Sequence, residues 1–89
     1  MDKPYEVVIK LLGGDGPCDI GLLPGTEWVF GERTPEGMCT LAFNAMYPLI
    51  VGLQNGATFP WQEDPDVTLA SCPNPKVNNV YEIRRITKK

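Results

Sequence analysis

The chain contains no histidine. That removes the side chain most often used for proton transfer near neutral pH, and with it every histidine-based nucleophilic triad. Long apolar runs are missing as well. The richest stretch, LAFNAMYPLIVGL, is interrupted by Asn44 and Pro48 and is too short to span a bilayer. The opening MDKPYEVVIK lacks the apolar core of a signal peptide. Basic residues are few and lie mainly toward the ends, within a net charge of −3. No basic face interleaved with aromatics is therefore available for nucleic acid. These absences predict a cytoplasmic protein that binds neither membrane nor nucleic acid. Cysteine pairing is excluded in part too: the count is three, which cannot close internally, and a reducing cytoplasm keeps such thiols free.

What is present is turn chemistry. Nine glycines and nine prolines make up a fifth of the 89 residues, at irregular spacing between apolar runs. They predict a single loop-rich domain over residues 1–89, too short for a second core. YEVVIKLL alternates, placing Tyr5, Val7, Ile9 and Leu11 on one face of a half-buried strand. GGDGP ends it. Pro24-Gly25 suits the centre of a type II turn, and TEWVFG follows as a strand with Trp28 and Phe30 on one face.

Thr34 then offers an N-cap and Pro35 a first helical position, with Glu36 against the positive end of the dipole. Met38, Leu41, Ala42, Ala45, Leu49 and Leu53 recur at helical spacing, and Asn55-Gly56 supplies a left-handed stop. Cys39, Phe43, Met46 and Ile50 occupy what the spacing makes the opposite side. The helix therefore reads as apolar nearly all round, in need of a flanking loop or second subunit to cover it. Pro48 predicts a kink or two short helices. VTLASC and VYEIRRI are the remaining strands. The order is β-β-α-β-β, and the predicted fold is α+β: a mainly antiparallel four-stranded sheet with one Pro-kinked helix, or a helix pair, packed on it.

The chemistry rests on Cys18, Cys39 and Cys72. Reduced thiolates are the soft ligands of zinc, copper and iron–sulfur clusters. Cys18 follows a glycine-rich turn. Cys39 is expected in the second helical turn, where the dipole would lower its pKa. Cys72 precedes Pro73, a pairing also found at cluster ligands. Backbone amides of Gly14, Gly16 and Gly37 are the expected supports. A fourth ligand would come from Asp15, Asp19, Asp64 or Asp66, from water, or from a partner.

Against this, no Cys-x-x-Cys pair exists, and the intervening twenty and thirty-two residues match no zinc ribbon or ferredoxin. Free cysteines also serve simply as buried packing residues. GGDGPCDIG lacks the Lys-Ser/Thr of a phosphate loop, and no helix follows it. The acids Glu63, Asp64 and Asp66 read chiefly as a solvated loop, and Phe59 and Trp61 as the edge of the core or a recognition patch.

Taken together, TPEGMC, AFNAMYPLI, LQNGATFPW, DPDV, SCPNP and VYEIRR resemble a family of small proteins of anaerobic bacteria and archaea, most of them described as uncharacterised. The resemblance runs from the first strand to Arg85. It implies cysteines that recur together in the glycine-rich loop, near the helix start and in the Cys-Pro turn, here Cys18, Cys39 and Cys72. The family's last motif is commonly Cys-Pro-Asp, and this chain departs from it at Asn74.

The leading expectation is a small non-catalytic protein whose three thiolates hold one soft metal or an iron–sulfur cluster. It would act as a homo-oligomer or as an accessory to a larger enzyme. The alternatives are an interaction or self-assembly module with the cysteines as packing, and a thiol enzyme with Cys39 as nucleophile.

Overall fold

A computed structural model describes residues 5–14, 21–73 and 77–87. Four strands and one helix follow the expected order: β1 (Tyr5–Gly13), β2 (Glu27–Phe30), α1 (Thr40–Gln54), β3 (Val67–Ser71) and β4 (Val80–Thr87). The strands form one sheet in the order β2-β1-β4-β3, antiparallel at every pairing. The last strand thus lies beside the first, and β2 and β3 form the edges.

Alternation assigns the faces. Val7, Ile9 and Leu11 of β1, Trp28 and Phe30 of β2, and Tyr81 and Ile83 of β4 all point inward and are buried. The helix lies across this face against β1, β4 and β3, which gives two layers and one core. On the other face, Glu6, Lys10, Glu82 and Arg84 alternate into the same strands, with Val29, Leu69 and Ile86 exposed among them. Pro24-Gly25 makes the expected turn: the Thr26 amide donates to the Leu23 carbonyl at 3.1 Å, and Gly25 takes φ +93°.

The helix corrects two expectations and meets a third. It begins at Thr40 and not at Pro35, because Gly37 adopts φ +83°, a left-handed conformation that interrupts any helix started at Thr34. Around Pro48 it is one helix and not a pair, the first of the two forms expected. Pro48 and Asn44, whose carbonyl it cannot bond, are both exposed residues, so that acceptor need not be buried without a partner.

Nor is the helix buried on two sides. Ala42, Met46, Ile50 and Leu53 form one buried arc, with Phe43 and Leu49 as its shoulders. Leu41, on one of the two sides expected to be covered, is 54% exposed, whereas Met46, on the other, is fully buried. The two expected faces are flanks of a single arc. Thr40, Asn44, Tyr47 and Pro48 remain on the solvent side.

At its end the helix closes as foreseen. The Gly56 amide donates to the Leu53 carbonyl at 3.2 Å and that of Ala57 to the Gly52 carbonyl at 2.9 Å, with Gly56 at φ +88°. This is a Schellman motif, and only a residue at ease in left-handed geometry fits its turn.

Candidate metal site

The antiparallel ladder fixes which termini share an end. Because β1 and β3 both run opposite to β4, the C-termini of β1 and β3 lie together with the N-termini of β2 and β4. The helix C-terminus sits at the other end. There the Gln54 amide nitrogen donates to the carbonyls of Phe30 and Gly31, and the Leu53 carbonyl accepts from Arg85. The helix start therefore projects toward the end where β1 and β3 finish.

Cys39 stands at that start as the N-cap residue, extended at φ −65° and ψ 128°. The sequence placed it a turn deeper; the left-handed Gly37 accounts for the shift. Its carbonyl accepts the first helical bond, from the Phe43 amide at 2.9 Å, while its thiol makes no capping bond. Gly37 lies against β2, with an added Cβ reaching 3.7 Å from Trp28 Nε1.

Cys72 follows β3 directly and extends its pairing, donating its amide to the Asn79 carbonyl at 2.7 Å. It continues the inward parity of Thr68 and Ala70. Both thiols are free, half-buried and packed against the core.

The glycine-rich loop leaves from this same end. A Cβ on Gly14 would lie 2.5 Å from the Asn78 carbonyl oxygen and 2.6 Å from that of Val77, so only glycine allows the loop to start wedged against the turn preceding β4. Cys18, Gly16, Asp15, Asp19 and Asn74 lie outside the described residues. The expected trio is thus represented by Cys39 and Cys72, which the fold brings to one end from positions far apart in the chain. Among the described residues, no three cysteine or acidic side chains gather closely enough to hold a metal ion.

Two of the expected fourth ligands are excluded. Asp64 and Asp66 sit by the opposite end, about 22 Å away along a 15-residue helix. Asp64 Oδ1 accepts the Asp66 amide at 2.9 Å, and its other oxygen faces Arg84 at 3.7 Å. Asp66 Oδ1 accepts from Arg85 Nε at 3.0 Å.

Arg85 is the residue that sequence reasoning missed. It is 8% exposed, and its guanidinium reaches the carbonyls of Leu53 at 3.2 Å, Ala57 at 2.8 Å and Pro65 at 2.8 Å as well as Asp66. The Tyr5 ring lies 4.9 Å from it. One side chain therefore ties the helix end, the 57–66 loop and the first strand together. The signal was the period-2 series Tyr81, Ile83, Arg85, which puts this arginine on the inward face of β4.

Phe59 packs against the core edge, and Trp61 stacks on it at 4.9 Å while remaining 63% exposed. The Trp61 indole N–H donates to the fully buried Thr68 hydroxyl at 3.2 Å. The LQNGATFPW, DPDV and VYEIRR motifs thus meet in this structural knot. No helix among the described residues is long and apolar enough to cross a membrane. The chain matches no protein-family model, no curated protein and no solved structure.

Proposed function

We propose that this is a small non-catalytic protein that binds a soft metal ion or an iron–sulfur cluster through Cys18, Cys39 and Cys72, in a reducing cytoplasm. The observation that carries this reading is the delivery of Cys39, from the helix start, and Cys72, from the strand end, to the end of the domain where the glycine-rich loop departs. Reduced thiolates suit zinc, copper(I) or an iron–sulfur cluster. Three of them leave a coordination position for water or a partner's group, which fits an oligomer or an accessory to a larger enzyme.

Elemental analysis and an absorption spectrum of anaerobically purified protein test the proposal. The expected result is stoichiometric metal, reduced by Cys39→Ser and by Cys72→Ser with the fold retained. Protein that carries no metal and cannot be reconstituted with iron and sulfide, zinc or copper(I) rejects it.

A second reading is an interaction module. It draws support from the exposed Leu41 and Tyr47 on the outer side of the helix and from Trp61 beside the helix end. Here Leu41→Lys with Tyr47→Lys alters self-association in sedimentation experiments, and cysteine substitutions leave it unchanged. A monomer unaffected by the lysine changes rejects self-assembly on this face.

A further inference from the structure

A cavity of about 130 Å³ opens along the β2 edge, between the start of the β2–α1 connection and the helix from Phe43 to Gln54. It runs from Phe43, one helical turn past Cys39, to Gln54 near the helix end, and aromatic rings form part of its wall. Phe43 stacks on Phe30 with centroids 5.8 Å apart and planes within 4°, and Tyr47 tilts against Phe43 at 5.5 Å. Ile50 adds an apolar wall, and Arg33 and Glu32 stand at the rim with opposite charges.

One polar group in the wall offers more than its folding contacts use. Gln54 is only 3% exposed, and an amide buried to that degree is costly unless its groups find partners. Its nitrogen donates to the Gly31 carbonyl at 2.7 Å and the Phe30 carbonyl at 3.3 Å. Two carbonyl acceptors require the nitrogen at that position, which fixes the orientation of the amide and leaves its oxygen available as an acceptor. None of these bonds uses that oxygen. No fully enclosed side-chain oxygen or nitrogen among the described residues is left without a partner, so Gln54 Oε1 keeps some accessible surface, and Gln54 lines the cavity.

The size decides the class of occupant. A cavity of about 150 Å³ with apolar walls accepts one benzene ring, and this one is slightly smaller. Flat aromatic walls favour a flat ring, the mixed rim favours a neutral one, and the lone amide oxygen calls for a donor. We propose that this cavity binds a neutral monocyclic aromatic molecule carrying one O–H or N–H donor, its ring against Phe43 and Tyr47 and its donor to Gln54 Oε1. The site is independent of the cysteines and of any metal they hold.

The test is a titration of the ¹⁵N-labelled full chain with phenol, and in parallel with toluene, which has the same ring and no donor. Phenol should give saturable shifts at the Gln54 side-chain amide and at the amides of Phe43, Tyr47 and Ile50. Toluene should bind about tenfold more weakly, the effect of one hydrogen bond. Val51→Trp, which fills the cavity from the helix side, should abolish the phenol shifts while the rest of the spectrum stays folded. Thr34→Trp, from the exposed opposite wall, makes the same test if the first variant does not fold. Shifts that scatter over the surface, fail to saturate, or survive a folded cavity-filling variant overturn the site. Equal affinity for toluene overturns the role given to Gln54.

Discussion

Replacing Arg85 by methionine is the sharpest test of how the fold is held. The side chain is 8% exposed, and its loss strands three backbone carbonyls, those of Leu53, Ala57 and Pro65. At about 1 kcal/mol of net stability for each such hydrogen bond, the carbonyls account for about 3 kcal/mol. The Asp66 partner is 49% exposed and regains water, so the ion pair adds less than about 1 kcal/mol. The methionine stem recovers some packing, and the expected loss is about 3 kcal/mol. A domain of this length has roughly 4–13 kcal/mol in total, so the variant should still fold. Its midpoint in thermal denaturation followed by circular dichroism should fall by about 12–24 °C.

The control is the neighbouring arginine. Arg84 makes two ion pairs, to Glu82 at 3.3 Å and Asp64 at 3.7 Å, but its side chain is 48% exposed. Arg84→Met should therefore cost less than about 1 kcal/mol, although a count of salt bridges ranks it above Arg85. Equal losses at the two positions, or a loss under about 1 kcal/mol at Arg85, refute the argument from burial.

Other substitutions probe separate features. Met46→Ala should cost about 2–5 kcal/mol and Leu41→Ala about 0.5 kcal/mol or less in urea denaturation; the reverse order would restore the helix face suggested by sequence spacing. Gly14→Ala forces a Cβ to within 2.6 Å of two carbonyl oxygens and should destabilise by about 1–3 kcal/mol, or shift the amide resonances of Val77 and Asn78 as the turn yields. Trp61→Phe keeps the stacking on Phe59 but removes the only donor that the tryptophan offers Thr68, a loss of about 1–2 kcal/mol by thermal melting.

The sheet was legible in the sequence because its strands alternate cleanly. Tyr5 to Leu11 and Trp28 to Phe30 carry the period-2 pattern that one buried face imposes, and Pro24-Gly25 and Asn55-Gly56 mark turns whose geometry demands those residues. The helix start was misread because Thr34-Pro35-Glu36 satisfies every local preference of an N-terminus, while the conformation of Gly37, which ends that option, depends on how the segment settles against Trp28. Its face was misread because Leu41, Phe43, Met46 and Tyr47 differ little in hydrophobicity, so spacing alone could not rank them. Arg85 was read only as one of the basic residues toward the end of the sequence, since most of its partners are carbonyls, which leave no mark in a sequence. The cysteines were legible as chemistry, and their common end became visible only with the topology.

The position of β4 has a consequence for how the protein is made. β4 follows the other three strands in the sequence yet lies between β1 and β3, and its Arg85 anchors segments far upstream of it. Until it emerges, the first strand lacks its principal neighbour and the end of the helix its guanidinium anchor. Folding of the sheet is therefore expected in one cooperative step that waits for β4, slowed by the need to join strands distant in sequence.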